Sequence, residues 1–376
     1  MTNPQGLAMS WRQPPENTVR ALVEGITRFD GVEFDLRLSA DEELVLHHDH
    51  HLSIDADELL GKQRFVEQWQ SDDIKRNGFD DFISLLENKD FTEQLIEQSK
   101  VVFIEIKPPH RSIQPRRKNT EHLAKMLEQV ARLLKIHEIP RHNVVVYSFH
   151  SGMATVAKKA SYKGHWSELR PVVPPVFGFY NQQIRTIPEY LTTSFASLVK
   201  NHQSNGSVMM PCAKEYLLGW KRYLPLGRTV GLSGRGLRRL KSITKGYPVH
   251  VWPCNVSEER PLLNAGLSVI TDDAHPEQPI AGAARWKRPA SLPLSLKQWQ
   301  GLTQRKIPTE VSPWSELNEN ERYVQVETWR KQHHWQRSAD EILADSRGEL
   351  PWEAVRIIGH RGCGKFTRPV MSKTPE

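Results

Sequence analysis

Short apolar runs rich in β-branched residues alternate with longer stretches of helical period along most of the chain. The runs are Val32–Leu38 (continuing through a turn into Leu44–Leu46), Val101–Ile106, Val144–Phe149, Val176–Phe179, Ser207–Met210, Val249–Trp252 and Ser268–Thr271. Between them, helical patterns are predicted over Thr18–Arg28, Asp80–Glu87, Glu121–Lys135, Gly152–Ala160, Glu189–Lys200, Leu237–Thr244 and Glu258–Ala265, with Asn17 or Thr18 available to cap the first. Strand and helix in strict alternation is the pattern of βαβ units around a parallel sheet. The polar stretch from His50 to about Asn77 reads as an insertion between the first strand and its helix.

Closing such a sheet needs one more strand. Seven leave two open edges, which natural proteins avoid. The eighth candidate lies far away at Ala354–Ile358, followed by Gly359-His360-Arg361-Gly362. The expected fold is therefore an α/β TIM (β/α)8 barrel with a small insertion after the first long strand. Three stretches are expected: 1–281 as the barrel, 282–350 as a helical Trp-rich connector, and 351–376 carrying the last strand. Trp286, Trp299, Trp314, Trp329 and Trp335 of the connector read as core anchors, with a recognition surface as the alternative.

Composition narrows the class. Hydrophobic residues at 38% and charged residues at 25% fit a folded globular chain rather than a disordered one. At 376 residues the chain exceeds the roughly 250 that a barrel typically needs. No apolar run approaches the ~20 residues of a membrane span. The first residues show no secretory signal, and Cys212, Cys254 and Cys363 form no closely spaced pair, so a reducing cytoplasmic setting is expected. The net charge of +7 is spread without a basic stripe, which reads as a solvated surface rather than a nucleic-acid site.

Several polar residues interrupt the strands. Glu33 and Asp35 stand at i, i+2 and share one face. Buried together they call for a shared cation, and their oxygens suit Mg²⁺ or Ca²⁺. The other reading is an outward-facing polar pair. Glu105 breaks the apolar run VVFIEIK at the end of its strand, where a barrel builds its active face, with Lys107 two residues on. A third metal carboxylate and a phosphate-holding lysine fit that place, and so does a plain salt bridge. In His47-His48-Asp49-His50-His51, an adjacent Asp can orient a histidine for acid–base work, and the tract also resembles a transition-metal run. His360 and Arg361 offer a proton carrier and a bidentate phosphate grip.

Together these residues resemble the glycerophosphodiester phosphodiesterases. PPENT at Pro14–Thr18, VEFDLRLSADEELVLHHD at Val32–Asp49, FIEIKPP at Phe103–Pro109, YSF at Tyr147–Phe149, HVWPCN at His250–Asn255 and SVITDDAHP at Ser268–Pro276 follow the family's order. The resemblance spans roughly 14 to 276. It implies a TIM barrel that cleaves small glycerophosphodiesters. Glu33, Asp35 and Glu105 would hold one divalent cation, Mg²⁺ or Ca²⁺. His48 and His360 would be the catalytic histidines, Arg361 and Lys107 would contact phosphate, and Trp252 would line the pocket. The departure is the HRG motif, which should precede PENT and instead occurs at His360–Gly362. Either the barrel is circularly permuted and completed by its own C-terminal strand, or the last residues begin a second, truncated copy. Rival functions are a phospholipase D-like lipid phosphodiesterase and a non-catalytic phosphate-binding barrel.

Overall fold

The computed structural model describes residues 13–52, 65–98, 100–150, 152–169, 191–219, 223, 229–254, 256–272, 318, 320–321, 323–324 and 357–364. Its strands are β1 (Gly31–Leu38), β2 (Leu44–Leu46), β3 (Val101–Ile106), β4 (Val144–Tyr147), β5 (His165–Trp166), β6 (Met210–Ala213), β7 (Val249–Cys254), β8 (Ser268–Thr271) and β9 (Ile357–Gly359). The α-helices are α1 (Val19–Arg28), α2 (Ser71–Arg76), α3 (Phe82–Glu87), α4 (Lys89–Gln98), α5 (Asn119–Ile136), α6 (Met153–Lys159), α7 (Phe195–Asn205), α8 (Gly234–Thr244) and α9 (Val256–Asn264).

Eight parallel strands run in the order β5-β4-β3-β1-β9-β8-β7-β6, with β2 pairing antiparallel to β1. The two ends of that order meet: Val208 N–H donates to the Trp166 carbonyl at 3.1 Å and Ser167 Oγ to the Met209 carbonyl at 2.6 Å. The sheet thus curls into the α/β barrel that the sequence predicts.

Alternation along each strand sorts the side chains into two layers. Val32, Phe34 and Leu36 of β1, with Val102, Ile104 and Ile106 of β3, join the layer against the helices. Val101, Phe103, Val145, Tyr147, Leu169, Met209, Ile270 and Ile358 fill the interior. The same parity carries Glu33 and Asp35 inward on β1, Glu105 after Phe103 on β3, and His360 after Ile358 on β9. The outward reading of the β1 carboxylate pair is therefore replaced by burial, each being 1% exposed.

β9 lies between β8 and β1: Val269 pairs with Ile357 and Gly31 with Ile358. The C-terminal strand thus has β8 on one side and β1 on the other. Asp30 fastens it at one end, its carboxylate accepting from Ile357 N–H at 3.0 Å while its own N–H donates to the Ile357 carbonyl. Beyond β9 the chain turns sharply against α1. Gly362 has φ +89°, and a Cβ there would meet the backbone of Ala21 at 2.5 Å. Gly362→Ala combines left-handed strain with this overlap. It is expected to destabilise by about 2–4 kcal/mol, read as a lower midpoint in chemical denaturation.

One local expectation needs correction, and another lies outside the described residues. The expected strand Val176–Phe179 is the latter; among the described residues the strand between β4 and β6 is β5. It has only two residues, His165 and Trp166, whose backbones ladder to Val145 and Val146 while Trp166 packs against the outer apolar layer. The next strand is displaced from Ser207–Met210 to Met210–Ala213, with Ser207 taking the turn after α7, where its N–H reaches the His202 carbonyl. Of the two cap candidates for α1, Thr18 takes the position, accepting from Ala21 N–H at 3.1 Å. The insertion adds α2, and a further helix, α4, was not anticipated. The connector tryptophans and nearly all of 282–350 lie outside the described residues, as do 354–356 and 365–376. Among the described residues no helix is long and apolar enough to cross a membrane.

Candidate active site

The inward carboxylates gather where strand C-termini converge. Glu33, Asp35 and Glu105 each offer an oxygen, and the three oxygens lie within 4.8 Å of one another. β1 and β3 supply them in register, since Asp35 pairs with Glu105 across the ladder. Each is held from behind. Glu33 accepts from the Tyr147 hydroxyl at 2.8 Å and from the Arg361 N–H at 3.1 Å. Asn17 brackets Asp35, donating from Nδ2 to Oδ2 at 2.9 Å and accepting the Asp35 N–H at 3.0 Å. Lys107 reaches Asp35 at 2.9 Å and also pairs with Glu105. The salt-bridge reading of Glu105 is thus present together with the carboxylate cluster.

Charge is unevenly shared among the three. Burial pushes the Asp35 carboxyl up, but Lys107, His48 and Arg361 outweigh it and hold it well below the usual range. Burial and the neighbouring Asp35 raise Glu33. Glu105 is pushed up to about 8, chiefly by burial and, despite Lys107, by Asp35 and Glu33. Burial and mutual repulsion therefore oppose ionisation of Glu33 and Glu105 beside Asp35, and a cation shared by the three would favour their charged forms. Three buried carboxylate oxygen donors fit a hard divalent cation.

The two histidines enter from different loops. His360 follows β9; its Nδ1 is hydrogen-bonded to Asp272, at the end of β8, and its Nε2 lies 3.6 Å from Glu33. His48 follows β2, with Nδ1 hydrogen-bonded to Asp49 at 2.8 Å. Burial lowers its basicity, and the Lys107 charge lowers it further. Arg361, 5% exposed with φ +50°, pairs with Glu16 at 2.7 Å and lies 3.3 Å from Asp35. Trp252 meets Phe149 edge-on at 5.9 Å between centroids, and the Lys107 ammonium lies 5.5 Å above the Phe149 ring. The rim beside Lys107 is therefore aromatic.

The rest of the histidine tract has other partners. His47 has the parity of Val45, packs edge-on against Phe79 at 5.3 Å, and its Nε2 bonds the His51 carbonyl at 2.8 Å. His50 and His51 neighbour His110, their ring centroids lying 5.0 and 6.4 Å from its own. Among the described residues no group of metal donors besides Glu33, Asp35 and Glu105 comes so close together. Asn17, Tyr147 and Asp272 were not assigned site roles from sequence. All three stand in motifs quoted above, and the bonds that give them a role here link distant parts of the chain.

Known proteins bear on this arrangement. Residues 5–175 match the model of the glycerophosphoryl diester phosphodiesterase family. No curated protein matches the chain. Among solved structures, it is similar to a glycerophosphodiester phosphodiesterase from Thermotoga maritima, at 18% identity over 68% of this chain and 87% of that one, with a TM-score of 0.41. It is also similar to an Oleispira antarctica phosphodiesterase in complex with the product sn-glycerol-3-phosphate, at 17% identity, 69% and 87% coverage, and a TM-score of 0.43. A third, a glycerophosphodiester phosphodiesterase from Agrobacterium tumefaciens, gives 15% identity, 68% and 90% coverage, and a TM-score of 0.40. Residues 5–175, a little under half of the chain, are thus similar to the glycerophosphoryl diester phosphodiesterase family.

Proposed function

We propose that the chain hydrolyses small glycerophosphodiesters to glycerol phosphate and an alcohol, with one divalent cation and two histidines. The observation that carries this reading is the grouping of Glu33, Asp35 and Glu105 with His48, His360, Lys107 and Arg361 at one end of the barrel.

Glu33, Asp35 and Glu105 would hold the cation, Mg²⁺ or Ca²⁺, which supplies positive charge against a phosphoryl oxygen. Lys107 and Arg361 hold the remaining phosphate oxygens. Arg361 is suited to this because its guanidinium keeps its charge even when buried, through Asp35, Glu16 and Glu33. One histidine takes a proton from the attacking water as the new P–O bond forms. The other gives a proton to the departing alcohol oxygen as the old P–O bond breaks. Asp49 and Asp272 fix the ring orientations of His48 and His360. Phe149 and Trp252 would line the pocket for the organic part of the substrate.

The test follows release of the alcohol from a glycerophosphodiester, with an intact lysophospholipid in parallel. Hydrolysis of the diester should vanish with a chelator and return with Mg²⁺ or Ca²⁺. Chelator-insensitive turnover would exclude the cation, and preference for the lysolipid would favour the lipid-cleaving alternative. Within the tract, His48→Ala should lose about 10²–10⁴-fold in kcat. His47→Ala should stay within roughly fivefold, because its ring packs on Phe79. Equal losses for the two would put the wrong histidine in the site.

A further inference from the structure

Arg37 follows Asp35 on the inward face of β1 and is 2% exposed. Its guanidinium joins three parts of the chain. Nε and Nη2 donate to the His48 carbonyl at 3.1 and 2.9 Å. Nη1 donates to the Pro108 carbonyl at 3.3 Å and to Glu67 Oε1 at 3.0 Å. His48 and Pro108 belong to the loops after β2 and β3, and Pro108 directly follows Lys107. Glu67 lies in the short 3-10 turn Val66–Gln68 of the insertion, which is tied back where Val66 N–H meets the His50 carbonyl at 3.0 Å.

We propose that Arg37 is a positioning residue for His48, with Glu67 as its counter-charge, so that the insertion takes part in setting the active geometry. This rests on the hydrolytic role proposed for His48. Four of the guanidinium's five donor hydrogens are engaged by the protein itself, so Arg37 is poorly placed to grip substrate. The planar fork meets two carbonyls on separate loops and a carboxylate at once. A lysine brings one flexible point charge and cannot span the three. Holding the His48 main chain fixes where its ring can swing, while Asp49 fixes only the rotation of that ring. Displacing a catalytic group by about 1 Å costs on the order of 10²-fold.

The experiment compares wild type, Arg37→Lys and Glu67→Gln at saturating cation. It measures kcat and KM on a glycerophosphodiester, together with the imidazole NMR signals of protein carrying labelled histidine. The His48 signal is identified by its loss in His48→Ala, and the His360 signal likewise. Arg37→Lys should lower kcat by about 10²-fold with KM changed less than about threefold. It should also move the His48 signal and leave that of His360 in place. Glu67→Gln keeps the shape of the contact and should give a smaller change of the same kind. The proposal is overturned if kcat stays within about twofold of wild type, if KM alone rises, or if both variants only melt earlier with an unmoved His48 signal. Should Arg37→Lys fail to fold, the Glu67→Gln comparison decides alone. A wild type that cleaves no glycerophosphodiester would sink the assigned function, and the His48 signal would still report on Arg37.

Discussion

Glu33→Ala, Asp35→Ala and Glu105→Ala are each expected to reduce hydrolysis by 10²–10³-fold or more, the scale on which enzymes lose rate when a preorganised charge-stabilising element is removed. Loss of activity alone would not separate a cation site from a salt-bridge scaffold, but stability does. Glu105 is raised to about 8 because burial and its two acidic neighbours oppose its charge. Neutralising it as Glu105→Gln should leave the cation-free protein as stable as wild type or more so at pH 8, while removing the gain that cation gives. For wild type that gain is about 2.7 kcal/mol at a concentration 100 times Kd. Asp35 behaves oppositely, because Lys107 and Arg361 already stabilise its charge. Asp35→Ala removes the carboxylate that Lys107 and Arg361 share, leaving them Glu105 and Glu16, and should lower stability with or without the metal. Thermal melts of both variants, with chelator and with cation, read the difference. Equal destabilisation by both would favour a purely structural cluster.

Removing residues 351–376 is expected to do two separable things. Hydrolysis should be abolished, and soluble yield should collapse, because the edges of β8 and β1 lose the strand between them. His360→Ala should do only the first, by about 10²–10⁴-fold, since its ring is held by Asp272 at the mouth and not in the apolar interior. Arg361→Lys should also be poorly tolerated, because an ammonium cannot reproduce a bidentate grip. If the deletion remained soluble with unchanged activity, the C-terminal strand would have no part in this barrel, and the truncated-copy reading would stand.

The barrel was legible because its strands repeat one rule: alternate residues differ, and the inward ones turn polar near the C-terminal end. That rule gave Val101–Ile106 and Ser268–Thr271 with their observed limits and put the three carboxylates on one surface. It failed at β5, where two residues are recruited by their neighbours' backbones, and no side-chain pattern marks a ladder made in that way. Asn17 and Thr18 were equally good caps by residue type. Asp35, a partner 18 positions away, draws Asn17 off and leaves the cap to Thr18. Arg37 and Glu67 were unreadable for the same reason. A charged residue in a polar insertion carries no local mark of a buried partner 30 positions back.

The place of β9 also bears on biosynthesis. Glu33 and Arg361, joined by a hydrogen bond, are 328 positions apart. A ribosome adding roughly 5–20 residues per second needs on the order of 15–65 s between them. Through that interval the nascent barrel has seven of its eight parallel strands, a gap beside β1, and neither His360 nor Arg361. On the roles proposed for His360 and Arg361, hydrolytic competence is expected only once these residues emerge, and until then the edges of β8 and β1 stay unpaired on that side. Chains arrested just before Ile357 and just after Gly364 had cleared the exit tunnel would expose the transition, the first protease-sensitive and inert, the second resistant and active. Comparable resistance in both would mean that the wall is sealed without β9.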